Sequence, residues 1–369
     1  MKLLYITNGI NGAGGLERVL SIKTKYLAED YRYDITILTL NELVHAPFYE
    51  FSDKVKLVSI NVGGNLVSYI KSYISGINKL VKDFAPDVIS VCDDGLKGFF
   101  IPTILKKNTV IIYERHVSKE IEMQEGFSLL KQISVKIKWL LMNKLARNFS
   151  KFIVLTNGNI KEWPGLDNIS IIANPLSFYP SQSSLLKNKK IIAVGKHGYQ
   201  KGFDILLRSW QLVQQLHPDW QLNIYGKIEP AAKLQQLANE LKVNETVFFY
   251  PPEKNIQDKY LQSSIYVMSS RYEGFGMVLI EAMACGVPCV SFDCNYGPSD
   301  IIQNEIDGYV VENSNERALA NSINELIAKP DLREAMGEKA KQNVKRFLSE
   351  TIVKQWDDLF NKLVNENNF

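Results

Sequence analysis

The chain has 369 residues, 46% hydrophobic and 22% charged, which excludes a disordered or fibrous protein and allows two hydrophobic cores. A net charge of +3 is too small for a nucleic-acid binder, and no run of about 18 apolar residues predicts a membrane span. The four cysteines, Cys92, Cys285, Cys289 and Cys294, include no Cys-x-x-Cys pair, so they read as buried thiols of a reducing compartment, not a metal site.

Met1 to Thr7 is too short an apolar run for a signal peptide, so the chain is expected to be soluble or peripheral and to face the cytosol. Lys2–Thr7 reads as a buried strand, followed by a glycine loop, Asn8 to Gly15, and a helix from about Leu16 to Glu29. Further strands are predicted at Asp34–Leu40, Val55–Ile60, Asp87–Val91, Thr109–Tyr113, Phe152–Leu155 and Ile169–Ala173, with helical patterns between, notably Ser68–Phe84. Short apolar strands alternating with helices predict a parallel, doubly wound sheet. Asn174 to Ser184 holds two prolines and four serines without periodicity and reads as a linker. The pattern then restarts, with strands at Ile191–Val194, Gln221–Tyr225, Val247–Tyr250, Ile265–Met268, Cys289–Phe292 and Tyr309–Val311. Residues 331–348 form a charged helix and Thr351–Val364 an amphipathic one. Two similar-sized α/β domains, about 1–175 and 185–350, are the predicted organisation.

The densest chemistry lies at Ser269-Ser270-Arg271-Tyr272-Glu273-Gly274-Phe275-Gly276-Met277-Val278-Leu279-Ile280-Glu281-Ala282-Met283-Ala284-Cys285-Gly286-Val287-Pro288. A strand, a glycine turn and a helix start expose backbone N–H groups at a positive dipole end, which suits a phosphate. Glu273 and Glu281 bracket the turn. Carboxylates beside an anion are better used to accept hydrogen bonds from hydroxyl groups attached to it. A phosphate flanked by hydroxyls describes a nucleotide sugar.

A second loop, Val194-Gly195-Lys196-His197-Gly198-Tyr199-Gln200-Lys201-Gly202, delivers two cations five apart at a strand's carboxyl end, where α/β sheets bind anions. By themselves these read as two solvated loop lysines; beside the first motif they read as phosphate ligands. The N-terminal Gly9-x-x-Gly12-x-Gly14-Gly15 is not the Gly-x-Gly-x-x-Gly spacing of a dinucleotide site. An NAD(P) oxidoreductase, the rival enzyme reading, would also need an acid after the second strand, where Glu42 lies nearby.

The glutamates eight apart around Gly-Phe-Gly, then Glu-Ala-Met-Ala-Cys-Gly-Val-Pro, resemble the donor-site signature of glycosyltransferase family 4, retaining enzymes of the GT-B fold. That resemblance implies two Rossmann-like domains facing each other across a cleft, with the last helix crossing back onto the first. It implies that Lys196, Lys201 and the amides of Phe275, Gly276, Met277 and Val278 hold the diphosphate of a UDP- or GDP-linked sugar. Glu281 would then accept from ribose hydroxyls and Glu273 from the sugar. Lys196 stands where the family has arginine, keeping the charge without the planar fork. Gly14-Gly15 before Glu17-Arg18-Val19 matches a family turn that approaches the donor, although a flexible loop explains those glycines too. His116, in Tyr113-Glu114-Arg115-His116-Val117-Ser118 at the end of a predicted strand, matches a histidine that contacts the transferring sugar. His45, His197 and His217 have no such context.

No Asp-x-Asp element is present, Asp93 and Asp94 being adjacent, so no metal or other cofactor is expected. The family retains anomeric configuration through assistance by the leaving phosphate, so no side-chain nucleophile is named. A non-catalytic subunit of a polysaccharide assembly complex is the rival outside enzymes, and the presence of Glu273, Glu281 and Lys201 speaks against it.

Residues 1–175 carry 22 Lys and Arg against 17 Asp and Glu, a net +5, while the remainder carries 21 against 23, a net −2. From Gly126 through Lys161 there is no acid, against Lys131, Lys136, Lys138, Lys144, Arg147, Lys151 and Lys161. Leu130, Ile133, Ile137, Leu140, Leu141 and Leu145 recur there at helical spacing beside Trp139. Such a helix either packs its stripe in the core with lysines in water or lies on an anionic membrane surface. The second choice predicts docking through 129–151 and, of the glycan or polyprenyl-linked acceptors the resemblance allows, one carried on a membrane lipid.

Overall fold

The computed structural model describes residues 1–42, 47–93, 95–105, 109–123 and 127–367; His45, Asp94 and Gly126, named above, lie outside them. The chain divides into two units, Met1–Ser177 with the segment from Ser349 onward, and Phe178–Leu348.

The first unit is built on β1 (Lys2–Thr7), β2 (Asp34–Leu40), β3 (Val55–Ile60), β4 (Val88–Cys92), β5 (Val110–Glu114), β6 (Lys151–Val154) and β7 (Ile169–Ile171). They pair in the order β3-β2-β1-β4-β5-β6-β7, all parallel, with Lys2 opposite Asp34 and Leu3 opposite Val88. Central β4 and β5 are buried at every position, Ser90 and Glu114 included, whereas edge strand β3 is partly exposed. Strand β5 runs one residue past its predicted end and takes Glu114 into the sheet. The helices are α1 (Gly15–Glu29), α2 (Leu66–Phe84), α3 (Ile101–Leu105), α4 (Leu129–Ala146) and α5 (Asn157–Ile160). Tyr73 and Ile77 of α2 share one buried cluster with Met142 and Ala146 of α4 and with Leu4 and Ile6 of β1, so both helices cover the same face of the sheet.

Helix α4 is apolar on two sides. Val135, Met142 and Ala146 face the core with Trp139 and Leu145 packed beside them, while Leu130, Ile133, Ile137, Leu140 and Leu141 face solvent. The predicted placement of Leu145 and Trp139 with the outer stripe is therefore corrected: both side chains belong to the core side. Lys138 is not a free surface cation either, since its Nζ lies 2.9 Å from Glu122 Oε1.

The second unit repeats the plan with β8 (Lys190–Val194), β9 (Gln221–Tyr225), β10 (Val247–Tyr250), β11 (Ile265–Met268), β12 (Cys289–Phe292) and β13 (Gly308–Val311). Their order is β10-β9-β8-β11-β12-β13, again all parallel. Its helices are α6 (Phe203–Leu216), α7 (Leu234–Glu240), α8 (Ile256–Leu261), α9 (Met277–Ala284), α10 (Pro298–Ile301), α11 (Glu316–Ala328) and α12 (Pro330–Asn343). The charged helix predicted to reach 348 stops at Asn343, and a 3-10 turn, Val344–Phe347, follows. All four cysteines are buried thiols, none of them in a disulfide.

The last helix, α13 (Ser349–Asn367), belongs to the first unit. Ile352, Val353, Trp356, Phe360 and Leu363 are buried along its inner side. Tyr33 Oη donates to Asp357 Oδ1 at 2.7 Å, and Ser349 Oγ to Leu176 O at 2.7 Å. In each sheet the strand order reverses once, between β1 and β4 and between β8 and β11. The crevice outside the carboxyl ends at such a reversal is where open α/β sheets bind ligands.

Candidate active site

In the second unit the carboxyl ends of β8 and β11 carry the two predicted loops, so the sheet reversal itself brings them together. Lys201 Nζ lies 2.7 Å from Glu273 Oε1, and Ser270 Oγ donates to the same oxygen at 2.6 Å. Both donors fall on Oε1, so among the described residues Oε2 is left to accept from a ligand. Arg271 clamps the loops: it makes a two-pronged pair with Asp204 (2.9 and 2.7 Å), donates to Tyr199 O at 2.7 Å and lies over the Tyr199 ring. Burial would push the Asp204 carboxyl up, but the Arg271 guanidinium outweighs it and holds it below its ordinary value.

The backbone leaves no slack here. Gly202 has φ +61°, and a Cβ on it would lie 2.1 Å from Ser269 O. Gly276 caps α9 at φ +103°, and Gly297 comes so close to Phe275 that its Cβ would meet the carbonyl at 2.0 Å. Glu273 N donates to Asn295 O at 2.8 Å, and Tyr296 N donates back to Glu273 O at 3.0 Å. The loop after β12 thus holds Glu273 at its main chain while Lys201 and Ser270 hold its carboxylate. Leu279 N is the first amide of α9 with a backbone acceptor, Gly276 O, among the described residues. The preceding amides of Phe275, Gly276, Met277 and Val278 remain as donors at the helix's positive end.

The other predicted residues are placed less uniformly. Glu281, on the second turn of α9, is almost wholly enclosed and accepts Tyr260 Oη at 3.3 Å. Lys196 is exposed, with its Nζ 2.9 Å from Glu229 Oε1. The two lysines of this loop therefore rest on different carboxylates. His197 between them turns inward onto Phe203 and Phe249, and burial pushes its imidazole below the ordinary value.

In the first unit Gly15 opens α1 with open space where a Cβ would stand. Glu42 accepts the amides of Ile10 (2.9 Å) and Asn11 (3.0 Å), so the acid that a dinucleotide ribose would need is already spent on the glycine loop. Asp93 is likewise a turn residue, accepting Gly95 N at 2.7 Å and Asn8 Nδ2 at 3.1 Å.

His116 follows β5, with Nε2 3.1 Å from Glu114 Oε2 and Nδ1 buried without a partner. Glu114 also takes Lys23 Nζ at 2.5 Å and Ser90 Oγ at 2.5 Å. Burial would push the Glu114 carboxyl up, but the Lys23 ammonium and the His116 ring outweigh it and hold it at about 2. Lys23 is fully buried, its ammonium 4.0 Å from the Trp356 ring of α13 and 4.9 Å from the Tyr5 ring. Cys92, Glu114 and His116 present ligand atoms within 4.8 Å of one another, the spacing of a metal site. Lys23 supplies the positive charge there. In the neutral tautomer that donates Nε2–H to Glu114, His116 keeps its lone pair on Nδ1.

The profile of the family described as Glycosyl transferases group 1 matches residues 179–343, nearly the whole second unit. The amylovoran biosynthesis glycosyltransferase AmsD of Erwinia amylovora is 30% identical over 373 residues, covering 98% of this chain and 99% of its own. The chain belongs to the group 1 glycosyl transferases. Sucrose-phosphate synthase from Thermosynechococcus elongatus shares its fold at a TM-score of 0.85 and 18% identity, covering 99% of each chain. HepE of Anabaena, solved with UDP and glucose, does so at 0.78 and 17%, covering 98% of this chain and 99% of its own. The fold is GT-B, and the protein is a glycosyltransferase.

Sequence reading of this glycosyltransferase missed Ser270, Arg271 and Asp204 as a clamp, and Lys23 and Glu114 as the setting of His116. One signal was available. Lys23 lies on the apolar side of α1 among Val19, Leu20 and Leu27, and Glu114 directly follows an apolar strand; two opposite charges at core positions point to a pair. The partnership itself spans 91 residues, beyond any local pattern.

Proposed function

We propose that this glycosyltransferase moves a hexosyl unit from a UDP- or GDP-linked sugar to a glycan or polyprenyl-linked acceptor, with retention of configuration and without a metal, in cell-surface polysaccharide assembly. The observation that carries the reading is the Lys201–Glu273 pair beside the uncapped start of α9 at the sheet reversal. Lys201, Lys196 and the amides of Phe275 to Val278 offset the diphosphate charge as it builds up on the leaving group. Lys196 exchanges Glu229 for phosphate on binding. Glu273 Oε2 accepts from a sugar hydroxyl and orients the donor, and Glu281 accepts from the ribose. His116 Nδ1 accepts from a further hydroxyl of the moving sugar. No side chain attacks the anomeric carbon; the acceptor enters on the face that the phosphate leaves.

The UDP and glucose in HepE and the amylovoran biosynthesis in the name of AmsD support the donor class and the setting. Thermal-shift measurements with UDP, GDP and their sugars in EDTA test the donor reading, and NMR of the product's anomeric proton tests retention. Stabilisation by one nucleotide series and a product of unchanged configuration are expected. An inverted product refutes the stereochemistry. Loss of activity in EDTA that magnesium restores refutes the metal-free reading.

A further inference from the structure

We propose that the first unit docks on an anionic lipid surface through the outer sides of α2 and α4. The structure removes the choice left open by periodicity: the core is already served by Val135, Met142 and Ala146, and among the described residues the stripe Leu130, Ile133, Ile137, Leu140 and Leu141 is left exposed. Leu130 is 81% exposed and Leu140 71%. A surface helix with a second apolar side flanked by lysines has the pattern of one that lies in a membrane interface. Among the described residues no helix is long and apolar enough to cross a membrane, so contact in the plane of the interface is the form this takes.

Helix α2 extends the surface. It lies on the same face of the sheet, and Leu66 (73% exposed), Val67 (74%) and Ile70 point outward from its first turns. Helix α2 begins soon after the carboxyl end of β3, and α4 runs back to Ala146, close before the amino end of β6 at Lys151, so its first turn lies toward the carboxyl ends of the strands. Leu66 and Val67 therefore sit at the same edge of the sheet as Leu129 and Leu130, the glycine loop and His116.

Charge selects the occupant. Residues 54–82 contain no acid, and neither do the described residues 127–161. Lys71 on α2 and Lys131, Lys136 and Lys144 on α4 are exposed beside the apolar residues. A second copy of this chain would bring like charges face to face across an isologous contact, whereas anionic headgroups meet lysines while acyl chains take the leucines. The surface would hold a lipid-borne acceptor at the edge where His116 lies; that consequence alone rests on the function proposed above.

Vesicle co-sedimentation tests the docking without donor or acceptor, so its outcome is independent of transfer activity. Phosphatidylglycerol-containing vesicles should retain the protein at low salt and release most of it in 1 M salt, where the Debye length is about 3 Å. Phosphatidylcholine vesicles should retain little. Each lysine near such a surface contributes about 5-fold, so replacing Lys131, Lys136 and Lys144 with glutamine should weaken partitioning roughly 100-fold at unchanged Tm. Leu130→Ser with Leu140→Ser should abolish whatever binding survives salt. Failure to bind anionic vesicles at low salt overturns the proposal. So does binding that ignores both sets of substitutions, or a concentration-dependent dimer that the same variants dissolve.

Discussion

Replacing Lys23 with methionine keeps the stem length but removes the ammonium 2.5 Å from Glu114 Oε2, leaving a fully buried carboxylate without its main counter-charge. Holding that carboxyl at about 2 instead of the ordinary 4.5 corresponds to about 3 kcal/mol of folding stability, within the 3–5 expected for breaking a buried pair. The sign follows from the depressed value. The contribution is complete above about 4.5 and is lost as the pH falls towards 2. Lys23→Met should therefore unfold the first unit about 6–12 °C earlier at pH 7 and flatten its acid dependence between pH 4.5 and 2. Glu114→Gln alone should cost a similar amount, because Lys23 is then the unpaired buried charge. The double variant should cost much less than the sum, with a coupling of about 2 kcal/mol or more. Hydrogen exchange on α1 and β5 peptides separates this unit from the second, which serves as an internal control. Additive costs, coupling below about 0.5 kcal/mol, or an unchanged acid profile in Lys23→Met would refute the reasoning.

The two glutamates should fail differently. Glu281→Ala should weaken nucleotide binding roughly 10- to 100-fold, the worth of a charged hydrogen bond, while Glu273→Ala should mainly lower kcat; calorimetry and initial rates separate them, and identical losses would remove the assignment. Lys196→Arg should be tolerated or tighten donor binding, because the fork grips phosphate on two oxygens. A collapse in affinity with the fold intact would give Lys196 another task. Gly202→Ala should destabilise the second unit by about 2 kcal/mol or more, since φ +61° and the Ser269 carbonyl 2.1 Å from a new Cβ both oppose it; an unchanged Tm would show that the loop can move.

The strands and the donor loop were legible in the sequence because their causes are local. A central parallel strand such as β11 is buried on both faces, so Ile265–Met268 is apolar throughout and ends where the chain must turn. The turn at Gly274–Gly276, the helix after it and the glutamates on either side lie within a few residues of one another. Sheet reversal follows from strand order, which local patterns do not encode, and it alone brought Lys201 to Glu273 across 72 residues. The destination of a charge was equally hidden: Lys196 rests on Glu229, Lys138 on Glu122, and Lys23 in the core on Glu114. Helix α4 shows the limit most directly. With apolar residues on two sides, its period fits two orientations equally, and the packing of Val135, Trp139 and Met142 on the sheet decided which stripe meets solvent. Periodicity records that a helix has an apolar side; only the space already filled around it determines which side is left over.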